Sequence, residues 1–112
     1  MSSLRIQKIN ELLKQEFAKI LVEEIEVPIG TLVTVIQVKT SPSLQHAKIY
    51  ISVLPDKKAE EILKKLNDQI YKLQQIINKR LYMRPVPKLS ILLDKSGEKF
   101  SEISKLLKSH NT

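Results

Sequence analysis

The chain has 112 residues and no cysteine; 42% of it is hydrophobic and 28% charged, and 19 Lys and Arg against 12 Asp and Glu give a formal net charge of +7 at pH 7. That length suits one domain around a single core, and without cysteine there can be no disulfide, thiolate metal site or thiol nucleophile. No apolar run approaches the ~20 residues of a membrane span, and Arg5 and Lys8 interrupt the place where a signal peptide would be apolar, so a cytoplasmic location is expected.

Ser2 or Ser3 can cap a first helix over about Leu4 to Ile25, because Ile6, Ile9, Leu13, Phe17, Ile20 and Leu21 recur every three or four residues on one face. Val27-Pro28-Ile29-Gly30 ends it, since a residue before proline disfavours helix and glycine tolerates positive φ. From Thr31 the period changes to two. Leu32, Thr34, Ile36 and Val38 alternate with Val33, Val35 and Gln37 in a β-branched run that reads as a strand. Ser41-Pro42-Ser43 is turn chemistry, and Ala47, Ile49, Ile51 and Val53 alternate with His46, Lys48, Tyr50 and Ser52 in a second strand. The two strands are expected to form an antiparallel hairpin with a wide loop.

Asp56 is the expected N-cap of a long helix whose buried face is Ala59, Ile62, Leu63, Leu66, Ile70, Leu73, Ile77 and Leu81, ending before Pro85. A third strand is expected over Lys88 to Leu93. After Ser96-Gly97, the stripe Phe100, Ile103, Leu106 and Leu107 indicates a short last helix. The order is α-β-β-α-β-α, which predicts an α+β domain with the two main helices on one face of a three-stranded sheet and the other face partly open. Residues 1–108 are read as one domain and residues 109–112 as a loose tail.

Charge is unevenly spread along this order. Residues 1–26 hold four basic and five acidic groups, and residues 56–68 hold four of each. Residues 27–55 carry Lys39 and Lys48 without an acid, and residues 69–93 carry Lys72, Lys79, Arg80, Arg84 and Lys88, again without one. Interleaved charges support helices, and Glu60–Lys64, Glu61–Lys65 and Asp68–Lys72 all have the favourable four-residue spacing. Lys79, Arg80 and Arg84 have no acid four residues before them, so an external anion is their expected partner. Phosphate is the anion that such uncompensated cations suit, which makes Lys72, Lys79, Arg80, Arg84, Lys88, Lys48 and Lys39 the candidate RNA-binding residues.

Catalytic chemistry finds little support. His46 and His110 are the only histidines, no HExxH, GxSxG or P-loop pattern occurs, and two glycines cannot build a phosphate cradle. A non-enzymatic protein without metal or cofactor is expected. Three tyrosines, Tyr50, Tyr71 and Tyr82, are too few for stacking in the manner of an RRM. Tyr82, between Arg80 and Arg84, is expected to shield the helix end, with stacking on a base as the alternative.

The stretch Ser41-Pro42-Ser43-Leu44-Gln45-His46-Ala47-Lys48-Ile49-Tyr50-Ile51-Ser52-Val53 resembles the S-P-x-L-x-x-A-x-V-Y-V-S-V signature of the ribosome-binding factor A family. Upstream, the resemblance extends to Leu32-Val33-Thr34-Val35 and to the first helix, where Arg5-Ile6-Gln7-Lys8-Ile9 and the Leu12 to Leu21 periodicity are similar to that family's opening. Downstream, Lys79-Arg80-Leu81-Tyr82-Met83-Arg84-Pro85-Val86-Pro87-Lys88-Leu89 resembles its K-R-L-x-x-R-x-V-P-x-L. The resemblance implies a type II KH-like fold whose long helix is broken into two. It also implies a monomer that binds the 30S small ribosomal subunit and its precursor 16S rRNA during assembly, assists rRNA processing, and matters in the cold. Where that family commonly has an Ala-x-Gly-like kink, this chain has Asp68-Gln69-Ile70-Tyr71, so the break is expected to be weaker or displaced. Two further readings compete: a generic KH-like RNA binder, and a protein-interaction module whose lysines only solvate it.

Overall fold

The computed structural model describes residues 3–95. Helix α1 spans Leu4–Glu24, strand β1 Leu32–Thr40 and strand β2 His46–Leu54. A short 3-10 turn, Asp56–Lys58, then leads into α2 (Ala59–Asp68), α3 (Ile70–Arg80) and β3 (Lys88–Leu93). The last helix expected from Phe100, Ile103, Leu106 and Leu107, and the tail at 109–112, lie outside the described residues.

Ser3 caps α1: its hydroxyl oxygen accepts from the Ile6 N–H at 3.1 Å, satisfying one of the donors a helix start leaves open. Ile9, Leu13, Phe17, Ile20 and Leu21 line the buried face, as their spacing requires. Gly30, at φ +86°, turns the chain into β1, a conformation that costs a residue without a side chain little.

The sheet order is β1-β2-β3, with β1 antiparallel and β3 parallel to β2. Both helical layers pack on one face. Val35, Val38, Ala47, Ile49, Ile51, Val53, Leu89 and Ile91 of the sheet meet Leu13, Phe17, Ile20, Ile62, Leu66, Leu73 and Ile77 of the helices in one core. The opposite face has no layer over it among the described residues.

Two local expectations are corrected, and the break in the long helix that the family resemblance implies is present. The strict alternation of β1 fails at Ile36, where a register shift between Val35 and Gln37 inserts one residue. The inward set is therefore Val33, Val35, Val38 and Thr40, and Ile36 is left exposed. Asp56 caps nothing with its side chain; it opens the 3-10 turn that precedes α2. The long helix is interrupted at Gln69, whose φ of −108° and ψ of 13° leave the helical region, so α2 and α3 are separate helices. The break thus falls within the stretch that lacks Ala-x-Gly. Gln69 needs no glycine because its φ is negative, a region open to any residue.

Candidate nucleic-acid interface

The seven candidate cations fall into two groups. Lys72 and Arg80 look inward across the α1–α3 contact. Lys72 Nζ lies 3.4 Å from Glu24 Oε2, and the Arg80 guanidinium pairs with Glu23 and, at 3.7 Å, with Glu16 Oε2. The bond to Glu23 holds the Arg80 pKa above its ordinary value, against a smaller opposing effect of desolvation. Arg80 therefore needs no external anion. Spacing along one helix could not show this, because both carboxylates belong to α1, some sixty residues back in the chain.

The three expected i,i+4 pairs are also rearranged. Lys64 reaches forward to Asp68 at 2.8 Å, and this hydrogen bond raises its pKa; Lys65 donates to the Glu26 carbonyl oxygen. Lys58 lies 3.5 Å from Glu61. The break at Gln69 takes Lys72 out of the helical register of Asp68, which frees it to turn toward α1.

Lys79, Arg84, Lys88, Lys48 and Lys39 form the second group. All five are exposed, and none has a carboxylate partner among the described residues. Arg84 Nη1 donates to the Leu81 and Met83 carbonyl oxygens at 2.9 and 2.7 Å, which shapes the turn after α3 and leaves the other N–H groups of the fork unused by these bonds. Tyr82 stands in that turn at 103% relative exposure. The expectation that it shields the helix end is wrong: Leu81, at 3% exposure, occupies that place and leaves the Tyr82 ring in solvent.

The remaining three cations belong to the open side of the sheet. Lys39 is paired directly with Lys48, and Lys48 with Ser90; one step along, His46 is paired with Lys88. These side chains alternate with the buried Val38, Ala47, Ile49 and Leu89, which puts them on the face without helices. The Lys39 ammonium sits 5.4 Å from the centre of the Tyr50 ring, a cation–π contact. With Ser41 and His46 these residues border a shallow depression of about 340 Å³.

The cations of the second group, from the turn after α3 and from the sheet, meet at one end of the molecule. The Lys88 N–H donates to the Gln45 carbonyl oxygen, and the Thr40 N–H donates to Asn10 Oδ1, which ties the start of β3 and the first half of α1 to the hairpin loop. Met83 reaches the same end of α1, beside Leu4, Arg5, Lys8 and Leu12. Glu24, Glu26, Asp56, Glu60 and Glu61 lie where α1 finishes and α2 begins, while Glu23 is taken up by Arg80 at the end of α3.

Sequence reasoning overlooked Tyr50, His46 and Ser41 as neighbours of Lys39 and Lys48. The signal was present in the hairpin: closing a loop over Pro42 to Gln45, with the Ser41 N–H donating to the His46 carbonyl oxygen, sets Thr40 opposite Ala47, and then Lys39 opposite Lys48. Among the described residues no cluster of three His, Cys, Asp or Glu could hold a metal ion, and no helix is long and apolar enough to cross a membrane.

Fold and surface together define an α+β domain of KH-like order with one basic, carboxylate-poor end. The ribosome-binding factor A family model matches residues 5–107. A ribosome-binding factor A from Akkermansia muciniphila is 32% identical over 105 residues, covering 94% of this chain and 83% of its own. The crystal structure of ribosome-binding factor A from Thermus thermophilus superposes with a TM-score of 0.69 at 22% identity, over 79% of this chain and 94% of that one. A homology model of the Thermus thermophilus ribosome-binding factor A, as fitted into the cryo-electron-microscopy map of its 30S complex, gives a TM-score of 0.63 at 24% identity, over 77% and 91% of the two chains. The chain belongs to the ribosome-binding factor A family.

Proposed function

We propose that this chain is a non-enzymatic cytoplasmic protein that binds the 30S ribosomal subunit during its assembly, contacts 16S rRNA, and assists maturation of the precursor. The single observation that carries this reading is the set of exposed cations, Lys79, Arg84, Lys88, Lys48 and Lys39, that converge at one end with no carboxylate partner among the described residues. Family membership supplies the choice of partner, and the relative from Thermus thermophilus fitted into a 30S map supports it. Lys72 and Arg80 remain candidates only as secondary contacts, since α1 already neutralises them.

The mechanism needs no reaction. A protein that binds one arrangement of rRNA more tightly than another shifts the population toward it by that difference in affinity. Most of the attraction would come from phosphate neutralisation, and that predicts strong weakening with salt. A role in cold conditions fits the same picture, because misfolded RNA escapes its traps more slowly as temperature falls.

The test is co-sedimentation of the whole chain with small subunits taken from growing cells, compared with mature whole ribosomes. Wild type is expected to travel with the free small subunit. The K79Q/R84Q variant, checked for an unchanged melting temperature, is expected to lose about tenfold or more in affinity if each removed contact is worth about 1 kcal/mol. Unchanged association of the folded variant, or binding that ignores salt between about 50 and 200 mM, would make the protein-interaction reading the better one.

A further inference from the structure

We infer that the open face of the sheet is a subsite for single-stranded RNA, with Lys39 and Lys48 gripping the sugar-phosphate backbone where it crosses from β1 to β2. The inference rests on the RNA-binding reading above and adds a place, a strandedness and a set of residues to it.

The first support is electrostatic. Strands β1, β2 and β3 contain no Asp or Glu, so the face they present near the hairpin loop carries Lys39, Lys48 and Lys88 with nothing to offset them. Lys39 and Lys48 are direct cross-strand neighbours, and like charges in that position destabilise a sheet pair. The nearest acid in the strand sequence, Asp94, follows β3 at the far end of the sheet. An anion lying between the two ammonium groups would turn the unfavourable pair into a favourable one.

The second support is shape. Lys39, Lys48, His46, Ser41 and Tyr50 border a depression of about 340 Å³, open to solvent and of the order a single nucleotide fills. Tyr50 is half-buried and holds the Lys39 ammonium over its ring, which keeps that cation above the depression. His46 and Lys88, paired across β2 and β3, continue the polar row toward the turn that carries Tyr82 and Arg84. The occupant to which this face is complementary is therefore a single strand running across the strands, its phosphates over the lysines. A duplex suits it less. Adjacent β-strands lie about 4.8 Å apart, so the cations are grouped within a width closer to one backbone than to two across a groove.

The experiment titrates the full chain with a fluorescent oligouridylate of about ten nucleotides, and separately with a hairpin duplex, reading anisotropy at several salt concentrations. K39Q/K48Q is expected to weaken oligouridylate binding about tenfold and to flatten its salt slope by about 1.4, the loss of two single-strand phosphate contacts, while duplex binding falls about twofold or less. Its melting temperature is expected to equal or exceed wild type, since a repulsive pair is gone; this separates lost contact from lost fold. In wild type, amide shifts at Lys39, Lys48 and Tyr50 are expected to move with oligouridylate. Equal losses for single strand and duplex, or an unchanged affinity for oligouridylate, would overturn the subsite. Failure of the wild-type chain to travel with small subunits would instead overturn the ribosomal reading, and leaves the oligouridylate result legible by itself.

Discussion

Arg80 and Tyr82 are two positions apart and have opposite fates. Arg80 binds Glu23 and Glu16 and fastens α3 to α1, whereas Tyr82 projects into solvent. Arg80→Gln is therefore expected to lower the thermal midpoint measurably, with a smaller effect on RNA than K79Q/R84Q. Tyr82→Ala is expected to leave the midpoint unchanged and to weaken single-strand binding about tenfold if the ring stacks on a base, a contact worth about 1–3 kcal/mol. Thermal melts and anisotropy on the same two samples check both outcomes. Because the Arg80 shift is upward, the stability it contributes is fully present at neutral pH and, on the alkaline side, is lost only as pH rises through the raised pKa.

The break at Gln69 shows what an element can do without the residue usually associated with it. Leu66 before the break and Leu73 after it are both fully buried, so each short helix is anchored by its own apolar face and the interruption sits between two packed points. Leu66→Ala is expected to cost about 2–5 kcal/mol, by lost burial and by the cavity left behind, measurable by urea denaturation. The element boundaries were largely legible because apolar periodicity is a strong local signal: the stripe from Ile9 to Leu21 and the limits Lys88 to Leu93 are both as expected. The bulge at Ile36 was not legible, since a β-branched apolar residue gives no local sign that the chain admits an extra position there. Nor were the partners of Lys72 and Arg80, which depend on α3 lying against α1. The candidate site was legible as an acid-free sequence, while its division into bound and free cations required tertiary contacts.

Over the described residues, Lys39, Lys48, Lys79, Arg84 and Lys88 lie where the hairpin loop, the turn after α3 and the start of β3 meet, and most carboxylates lie toward the other end. Association with small subunits is accordingly expected to slow steeply as salt rises from about 50 to 200 mM, with a much smaller change in dissociation, as stopped-flow mixing would show. The same arrangement constrains how the two faces share RNA. Lys79 and Arg84 lie at the end of α3 and Lys39 and Lys48 on the sheet, so one domain offers contacts in two directions from a single corner.

The charge is also unevenly placed: the cations without carboxylate partners crowd the hairpin corner, whereas at the other end Lys57, Lys58, Lys64 and Lys65 offset the carboxylates. Near a polyanion such a molecule is turned as well as attracted, because the field pulls the hairpin corner more strongly than the balanced far end. A protein of equal net charge with its lysines scattered would be drawn in without being rotated. Within a screening distance of about 8 Å at physiological salt the torque acts before any side chain touches RNA. The hairpin corner therefore arrives first, and fewer encounters are spent on the wrong face.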